Sequence, residues 1–566
     1  MEDGARSEQV DRQPVSYSRL VVWSGVLGLA LASLLVQFLV VDRSFVPMDE
    51  GHLVATAHRL LMGDLLYRDA HTGMFPGIYY LAAALFEIFG PDVIVTRWAQ
   101  LVVNTLIAVC LWWIGLRLMR PRWAVFAPIL FIAVIPVSFP VLTMLNYSTV
   151  SLFFGLAALL FMLRYLERAD RFDAIGAGVA LAFCAITKQN FGFLVGLALF
   201  VGFLFTRLDS PLRKRSAIAG LLPVVVSGAC VTLVVAAYFL ATGTFSDLFN
   251  ATFTQLLSTQ TESYYHPIPP ILGPHPENDG LFTFLYSPPA LFSYLVRGEP
   301  ILGTPIAPWF RETAIRLTYG VPMAALLVAP FVLWVTRRTD RVDERRSSRM
   351  VVVFACIFFP GIFPSAIWSH LAFVLAPILL VLAWIGDRAE RGLAGQSQPV
   401  ARAWWALGAV VVLLLVFSGL RIPDDIRRWN NVQLGLPRAS LYLNPNLAAL
   451  YQGGARFLGE CADPGEPVFV APALPLLYFV TDRPNPTRYD LTIPGDVHGD
   501  RIIKGLSESQ TRCVIYDPVM YFQFPPFEEL FPEVAEFLGS EYVTVRVIPG
   551  EGAEWHALKR RDLPGL

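Results

Sequence analysis

The sequence predicts an α-helical polytopic membrane protein with a C-terminal extracytoplasmic α/β domain. Of the 566 residues, 55% are hydrophobic and only 16% are charged, and the mean hydropathy is +0.53. Soluble enzymes carry more charge, so this composition indicates many membrane spans. The formal net charge of −1 gives no indication of nucleic-acid binding.

The first apolar segment, residues 20–41, is long enough to cross about 30 Å of hydrocarbon. It is followed by DRSF and not by a small-residue cleavage site, which indicates a retained anchor helix instead of a signal peptide. With ten further apolar segments, about eleven transmembrane helices are expected. The further segments are residues 98–116, 123–140, 147–163, 174–187, 191–206, 217–241, 314–335, 350–364, 371–386 and 404–420.

The charges of the loops predict the topology, because Lys and Arg concentrate on the cytoplasmic side. They fall in alternate loops if the N-terminus is cytoplasmic and residues 76–90 do not cross the membrane. Residues 51–62 and 76–90 are then expected to be amphipathic helices on the outer surface of the plasma (inner) membrane. The predicted parts are a cytoplasmic tail (1–19), a transmembrane domain (20–420) with outer loops 42–97 and 242–313, and an outer domain (421–566).

Two adjacent carboxylates, Asp49 and Glu50, lie in the first outer loop. Asp49 follows Val41 by eight residues, so its Cα lies within about 28 Å of the end of the first span. A neighbouring negative charge and partial burial raise the pKa of a carboxyl group, which suits Asp49 to proton abstraction. The alternative is that one of the two residues caps the 51–62 helix.

The order of motifs in the first half of the chain resembles a known family. DEG at 49–51 is followed by GDLLYRD at 63–69, by MFPGIYY at 74–80 and by Arg97, which opens a span. This order, together with the topology, resembles the polyprenyl-phosphate-dependent GT-C glycosyltransferases. Within them it is most similar to glycosyltransferase family 39, the protein O-mannosyltransferase and aminoarabinose-transferase group. The resemblance implies a GT-C-like transmembrane domain and a cell-envelope enzyme with a polyprenyl-phosphate-sugar donor.

The resemblance also implies roles for individual residues. It makes Asp49 the base for the acceptor, with support from Glu50, and Lys188 a ligand of the donor phosphate. Further candidates for binding that phosphate are Arg59, Arg68 and His370.

Lys188 is also conspicuous without the resemblance. The predicted spans 174–187 and 191–206 are only 14 and 16 residues long, so the turn between them is expected to dip below the membrane surface. An ammonium group at that depth suits a lipid phosphate. The alternative is a lysine that snorkels to the surface and binds no ligand.

Asn146 stands in the second outer turn, where many members of the family carry an aspartate. Either its amide takes that role by hydrogen bonding, or the acceptor differs. Asn146, Tyr147 and Gln189 are therefore candidates for acceptor binding or for support of the site.

Metal binding has little support in the sequence. The eight histidines show no HExxH or comparable ligand spacing. His266 and His275 flank a Pro-rich stretch, HPIPPILGPH, which is expected to form a rigid cover. No cofactor is firmly implied, although one divalent metal ion at Asp49 and Glu50 is compatible with the residues.

The polar C-terminal region, residues 421–566, is long enough for a core of its own. Cys461 and Cys513 either form a disulfide, if the region lies in an oxidising compartment, or remain buried thiols. Strands are predicted at 467–471, 512–516 and 541–548, and helices at 446–459, 500–508 and 526–538.

These observations predict a membrane glycosyltransferase that moves a hexosyl or pentosyl group to an acceptor on the outer face, with Asp49 as base. The expected partners are the polyprenyl-phosphate-sugar donor, membrane lipid, and a glycan, lipid or protein acceptor. A transporter or lipid flippase is the main alternative, but the charge at mid-membrane and the internal repeats typical of that class are not found. A third alternative is a non-catalytic assembly or sensor protein that binds a partner through the C-terminal region.

Overall fold

A helical bundle formed by residues 19–393 carries a smaller α/β unit formed by residues 432–560. The apolar segments form the bundle, and the polar C-terminal region forms the α/β unit. The computed structural model describes residues 18–214, 216–254, 264–276, 280–291, 308–393, 402, 406, 408–409, 419–493, 497–519, 524–550 and 553–561.

The helices of the bundle follow the hydrophobic segments of the sequence. Short 3₁₀ helices follow α9, α12 and α14, and a π-helical turn follows α11. The helices are α1 (Arg19–Phe38), α2 (Asp49–Leu61), α3 (Gly77–Phe89), α4 (Val93–Leu118), α5 (Pro121–Ala124), α6 (Phe126–Val137), α7 (Tyr147–Arg168), α8 (Arg171–Thr187), α9 (Gln189–Thr206), α10 (Ala217–Ala241), α11 (Phe245–Phe249), α12 (Gly280–Tyr286), α13 (Pro308–Thr336), α14 (Val342–Phe358) and α15 (Trp368–Leu393).

Seven of the described helices are long and apolar enough to cross a membrane, namely α1, α4, α7, α9, α10, α13 and α15. The predicted spans 123–140, 174–187 and 350–364 fall on shorter helices: α5 and α6, α8, and α14. Of these, α8 and α14 have 17 residues each. Most of the predicted span 404–420 lies outside the described residues.

The two helices predicted in the first outer loop are present as α2 and α3. Each has 13 residues, which corresponds to a length of about 20 Å at 1.5 Å per residue. That length is too short to cross about 30 Å of hydrocarbon. The structure therefore agrees with the prediction that residues 76–90 do not form a span.

Helices α1 and α4 pack side by side in opposite directions. The indole of Trp112 donates to the Val22 carbonyl at 3.2 Å near one end. The rings of Phe38 and Trp98 are 5.8 Å apart at the other end. The outer surface of this helix pair is apolar and exposed, as expected for lipid-facing helices.

A chain of buried amides crosses from α1 through α4 to α7. Asn104 donates to the Gln37 side chain at 2.8 Å, and Gln100 donates to Asn104 at 2.8 Å. The hydroxyl of Thr149 donates to Gln100 at 2.9 Å. Because buried polar groups need such partners, the chain fixes the start of α7 against α4.

The four-stranded sheet of the α/β unit contains the three predicted strands and one strand, β6, that was not predicted, and the short pair β1 and β2 was not predicted either. In the four-stranded sheet the order is β3-β4-β6-β5, with β3 and β4 parallel and the other pairs antiparallel. The unpredicted strand β6 has the helix-like sequence AEWHALKR, and pairing with β4 and β5 overrides that preference. The elements are β1 (Val432–Gln433), β2 (Tyr442–Leu443), α16 (Pro445–Cys461), β3 (Val468–Ala471), α17 (Leu476–Thr481), α18 (Gly499–Glu508), β4 (Cys513–Tyr516), α19 (Phe527–Leu530), α20 (Pro532–Glu541), β5 (Tyr542–Gly550) and β6 (Ala553–Arg560).

A disulfide joins Cys461, at the end of α16, to Cys513, at the start of β4. The Cα atoms of the two residues are 6.1 Å apart. Of the two alternatives for these cysteines, the structure contains the disulfide.

The first outer loop and the α/β unit share one hydrophobic core. The Phe45 ring lies 4.9 Å from that of Tyr451, and the Phe86 ring stacks on Phe479 at 5.5 Å. A Cβ atom at Gly51 would lie 3.1 Å from the Leu476 nitrogen, so α2 packs closely against α17. A second buried cluster, which includes Phe469, Ile502 and Val514, lies within the α/β unit itself.

Candidate active site

Asp49 is the first residue of α2. Met48 precedes it as the N-cap residue, so neither Asp49 nor Glu50 caps the helix as the alternative proposed. The Asp49 side chain is solvent-accessible. Even so, burial raises its pKa to about 6, with the Glu50 charge adding to the rise and the Lys188 charge opposing it. An accessible carboxylate that is largely ionised near pH 7 suits general-base chemistry.

Glu50 has a different environment from its neighbour. Its side chain is 1% exposed and forms a two-point ion pair with Arg97, whose side chain is fully buried. The Nη2 atom of Arg97 donates to Glu50 Oε2 at 2.6 Å, and the Nε atom donates to Oε1. Arg97 also donates to the Ser44 carbonyl at 3.0 Å and to the Thr143 hydroxyl at 3.2 Å. Glu50 thus fixes the start of α2 to the start of α4.

Lys188 connects α8 to α9 and is 8% exposed. Its Nζ atom donates to the Ser148 hydroxyl at 2.8 Å and lies 4.1 Å from the centre of the Phe191 ring and 5.2 Å from that of Tyr147. Burial lowers the pKa of Lys188 to about 7, against the opposing effect of Asp49. The side chain points into the protein, which contradicts the snorkelling alternative.

Asp49 and Lys188 lie within electrostatic reach of each other. Each charge shifts the pKa of the other group, yet no direct ion pair joins them within the part of the chain that the structure describes. A carboxylate and an ammonium group that are close but not paired can act on a proton and on an anion of the same substrate. Surface cavities of about 560 and 260 Å³ are found elsewhere and include neither residue.

Three helices begin around Lys188. Ser148 is in the first turn of α7, Lys188 immediately precedes α9, and His370 is in the first turn of α15. Phe373, one turn further along α15, has its ring centre 5.9 Å from Lys188 Nζ. The imidazole of His370 hydrogen-bonds the Ile362 carbonyl at 3.3 Å and lies within electrostatic reach of Lys188. Helix N-termini carry partial positive charge, which together with Lys188 favours a bound anion.

Three tyrosines lie within electrostatic reach of the Asp49 carboxylate. Its charge acts on the phenols of Tyr79, Tyr147 and Tyr264. For Tyr79 and Tyr264, burial raises the pKa and the Asp49 charge raises it further. Tyr264 also contacts Phe524 of the α/β unit, with ring centres 5.2 Å apart. Aromatic faces of this kind suit a sugar ring.

The chain resembles known proteins in one sequence segment and in its whole fold. Residues 71–245 match the family described as dolichyl-phosphate-mannose-protein mannosyltransferase. The crystal structure of ArnT from Cupriavidus metallidurans bound to undecaprenyl phosphate matches with a TM-score of 0.56 at 15% identity, over 96% of this chain and 99% of that chain. The chain has the GT-C fold. This similarity confirms the predicted fold class and the resemblance to GT-C glycosyltransferases.

Two further solved structures show the same GT-C fold. ArnT from the same organism in the apo state gives a TM-score of 0.54 at 16% identity, over 95% of this chain and 98% of that chain. The oligosaccharyltransferase AglB from Archaeoglobus fulgidus, in complex with an inhibitory peptide and a dolichol-phosphate, gives 0.50 at 12% identity, over 96% and 75%. No curated protein matches the chain by sequence.

Two of the predicted phosphate ligands lie apart from Lys188 in this GT-C fold. Arg59 lies ten residues beyond Asp49, or about 15 Å along α2. It donates to Asp490 at 2.8 Å and to Asp64 at 2.7 Å. Arg68 is 55% exposed and pairs with Asp69 at 2.8 Å. Arg59 therefore links the first outer loop to the α/β unit, and Arg68 lies on the surface.

Asn146 and Gln189 stabilise the backbone on either side of Lys188. Asn146 is the N-cap of α7 and accepts a hydrogen bond from the Ser148 nitrogen at 2.7 Å. Gln189 donates to the Gly73 carbonyl at 3.3 Å, and its buried Oε1 has no partner among the described residues. Asn146 thus orients the start of α7, and Gln189 holds the turn before α3 against α9.

The histidines and acids do not form a recognisable metal site. Among the described residues, no group of three or more His, Cys, Asp or Glu side chains converges. His266 hydrogen-bonds the Ser365 hydroxyl at 2.9 Å and His275 hydrogen-bonds the Pro270 carbonyl at 2.7 Å, so both hold the Pro-rich stretch in place. Because Glu50 is paired with Arg97, Asp49 is the carboxylate of the pair that remains accessible to a ligand.

The sequence reading did not identify the roles of Arg97, Tyr79 and Tyr264. Arg97 and Tyr79 both belong to the motifs that carried the family resemblance. An arginine at the start of an apolar span requires a buried partner. That requirement alone could have predicted an ion pair for Arg97 from the sequence. Tyr264 lies in the long outer loop, and nothing in the sequence indicates that it reaches Asp49.

Proposed function

We propose that the chain is a membrane glycosyltransferase that moves a sugar from a polyprenyl-phosphate donor to a hydroxyl or amine acceptor at the outer face of the membrane. The observation that carries the proposal is the proximity of the Asp49 carboxylate and the Lys188 ammonium group, whose charges act on each other without a direct ion pair. One group can accept a proton and the other can hold a phosphate. A single displacement needs both groups at opposite sides of the reacting carbon.

In the proposed reaction, Asp49 accepts the proton of the acceptor O–H or N–H group. The electron pair of that oxygen or nitrogen forms a bond to the anomeric carbon of the sugar. The bond between this carbon and the phosphate oxygen breaks at the same time, and the phosphate leaves with its electron pair. Because one displacement occurs, the anomeric configuration is inverted.

Lys188 would bind the leaving phosphate. Its Nζ atom uses one hydrogen bond, to Ser148, and an ammonium group has three N–H donors. A phosphate in contact with Nζ would raise the pKa of Lys188 again, because an opposite charge favours the protonated amine. The starts of α7, α9 and α15 and the imidazole of His370 lie at the same place. Such a preorganised cationic site stabilises charge that develops on the leaving group.

The sugar would lie beside Tyr147 and Tyr264. Both side chains are partly exposed within electrostatic reach of Asp49, so their rings can offer apolar faces to a hexose or pentose. The contact between Tyr264 and Phe524 brings the α/β unit close to these rings. We propose that the acceptor, a glycan, lipid or protein, enters between the α/β unit and the bundle.

The names of the similar proteins support the donor class. The matched family is described by a dolichyl-phosphate-mannose donor and a protein acceptor, and one ArnT structure is bound to undecaprenyl phosphate. Both lipids are polyprenyl phosphates. The depth of Lys188, at the junction of α8 and α9, suits a phosphate on a lipid anchored in the membrane.

The test is cleavage of a polyprenyl-phosphate sugar by the purified protein in detergent, with the released polyprenyl phosphate measured by chromatography. The parent protein should cleave the donor in the presence of an acceptor extract. Asp49→Asn should lower the rate by at least about 100-fold, the usual contribution of a general base. Glu87→Gln is the matched control, because Glu87 is an exposed carboxylate on α3. A protein that moves the lipid across vesicles without cleaving it would be a flippase, and the proposal would fail.

A further inference from the structure

A groove of about 260 Å³ opens where the ends of α1 and α4 meet the helical residues 419–429. Phe38, Trp98, Asp42, Arg43 and Arg427 are among the residues that line it. The groove includes neither Asp49 nor Lys188. It lies at the ends of two membrane-spanning helices, where apolar and charged side chains meet.

The apolar side of the groove continues along the lipid-facing surface of the bundle. Phe38 and Trp98 are 61% and 42% exposed although their rings are in contact. Exposed apolar side chains extend from each of them at intervals of three or four residues, and therefore along one face of each helix. They are Leu27, Leu31 and Leu35 on α1, and Val102 and Leu106 on α4.

The charged side of the groove has one uncompensated cation. On the helical segment 419–429, Arg421 pairs with Asp425 at 3.2 Å and Arg428 pairs with Asp424 at 2.7 Å. Arg427 has no such partner among the described residues. Within the groove, Arg43 is balanced by Asp42 at 3.1 Å. The positive charge of Arg427 therefore lies at one end of the apolar surface formed by α1 and α4.

The position of this cation matches the level of lipid headgroups. Tryptophan side chains concentrate at the membrane–water interface, and Trp98 is at the end of a span. On the segment that carries Arg427, Leu420 and Trp429 are 67% and 39% exposed, as in helices that lie in the interface. Arginine at this level binds phosphate groups by charge and by paired hydrogen bonds.

We propose that this groove binds a membrane phospholipid with an anionic headgroup. The phosphate of the lipid lies against Arg427, and its acyl chains lie along the exposed apolar side chains of α1 and α4. A soluble anion would pair with Arg427 but would make no contact with the exposed apolar side chains of α1 and α4. The occupant is therefore a lipid, and it is separate from the donor lipid proposed at Lys188.

The groove is connected to the active-site loop. The Ser44 carbonyl, next to the groove residue Arg43, accepts a hydrogen bond from Arg97 at 3.0 Å, and Arg97 holds Glu50. A lipid in the groove therefore contacts the chain segment that positions the start of α2. Its binding stabilises the loop that carries Asp49.

The experiment measures quenching of tryptophan fluorescence by brominated lipids in the full-length protein reconstituted into vesicles. Because the chain has 13 tryptophans, the Trp98 signal is the difference between the parent and Trp98→Phe. Brominated phosphatidylglycerol should quench this signal at about fivefold lower mole fraction than brominated phosphatidylcholine, since one arginine near the surface contributes about 1 kcal/mol. Arg427→Gln should remove the preference, whereas the matched control Arg428→Gln should keep it.

Three results would overturn the proposal. The first is equal quenching of Trp98 by the two lipids in the parent protein. The second is an equal loss of preference in Arg427→Gln and Arg428→Gln, both checked for a parent-like melting temperature. The third is loss of the preference when millimolar glycerol 3-phosphate is added, because the groove would then bind a free phosphate and not a lipid.

Discussion

The two adjacent carboxylates of the first outer loop are predicted to fail in different ways when neutralised. Glu50→Gln removes the charge that balances Arg97, whereas Asp49→Asn removes the proposed base. Both substitutions keep the size of the side chain and remove one negative charge. A comparison of the two therefore separates the effect of position from the effect of charge alone.

The burial of the Glu50–Arg97 pair determines the magnitude for Glu50→Gln. The side chains are 1% and 0% exposed, and Arg97 makes two hydrogen bonds to the carboxylate. Removal of one partner from a buried ion pair costs about 3–5 kcal/mol, because the other charge stays buried without compensation. The corresponding fall in melting temperature is on the order of 5 °C for a protein of this size.

Asp49→Asn is expected to change the stability of the protein in the opposite direction. The pKa of Asp49 is raised from 3.8 in the unfolded chain to about 6 in the folded protein. Ionisation therefore favours the unfolded state as the pH rises through this window, and the full penalty is present above pH 6. Because the side chain is solvent-accessible, the gain from the neutral amide is at most about 1 kcal/mol. Asp49→Asn should thus be as stable as the parent protein, or slightly more stable.

The assay pairs thermal unfolding in one detergent with donor cleavage at pH 7.5. Glu50→Gln should melt several degrees below the parent. Asp49→Asn should melt at or above the parent temperature and lose at least about 100-fold in rate. The double variant Glu50→Gln/Arg97→Met should regain part of the lost stability, because it removes the unpaired charge. A parent-like melting temperature for Glu50→Gln, or a parent-like rate for Asp49→Asn, would refute the assignment of roles.

Three further predictions concern the phosphate, the pH dependence and the disulfide. Lys188→Met should lower kcat/KM for the donor by about 100- to 1000-fold, and Lys188→Arg should restore part of it. Steady-state kinetics measures both effects. A parent-like kcat/KM for Lys188→Met would contradict the assignment of Lys188 as the ligand of the donor phosphate. In the parent, kcat/KM should rise as the pH passes about 6, where Asp49 ionises, and should fall above about 7, where free Lys188 loses its proton; a flat profile from pH 5 to 9 would contradict both assignments. Cys461→Ser/Cys513→Ser should lower the free energy of unfolding by about 4 kcal/mol because the bond closes a loop of 52 residues; thermal unfolding with and without reductant measures this, and no change would contradict it.

Much of the fold could be predicted from the sequence because its signals are local. The predicted apolar segments correspond to most of the long helices of the bundle, which have 17–29 residues. Charge counting placed residues 76–90 outside the membrane, and α3 is indeed too short to cross it. Strand β6 was missed because its sequence has a helical composition and its pairing partners, β4 and β5, lie elsewhere in the chain.

The candidate site could be predicted only in part. The order of motifs led to Asp49 and Lys188, and in the structure the charges of these two groups act on each other. The same reasoning grouped Arg59 with them, although Asp490 from the α/β unit holds that side chain. Tyr264 was missed because its proximity to Asp49 depends on how the long outer loop folds back.

By itself, the sequence determined which segments are helical, which of them are apolar enough to enter a membrane, and which acids and cations are available near the surface. These properties depend on local composition and on the 3.6-residue period of a helix. Only the tertiary structure decided that Glu50 pairs with Arg97, that Arg59 pairs with Asp490, and that Asp49 remains accessible within electrostatic reach of Lys188. The physical reason is that charge pairing and desolvation depend on neighbours that lie tens or hundreds of residues away, and local sequence preferences contain no information about them.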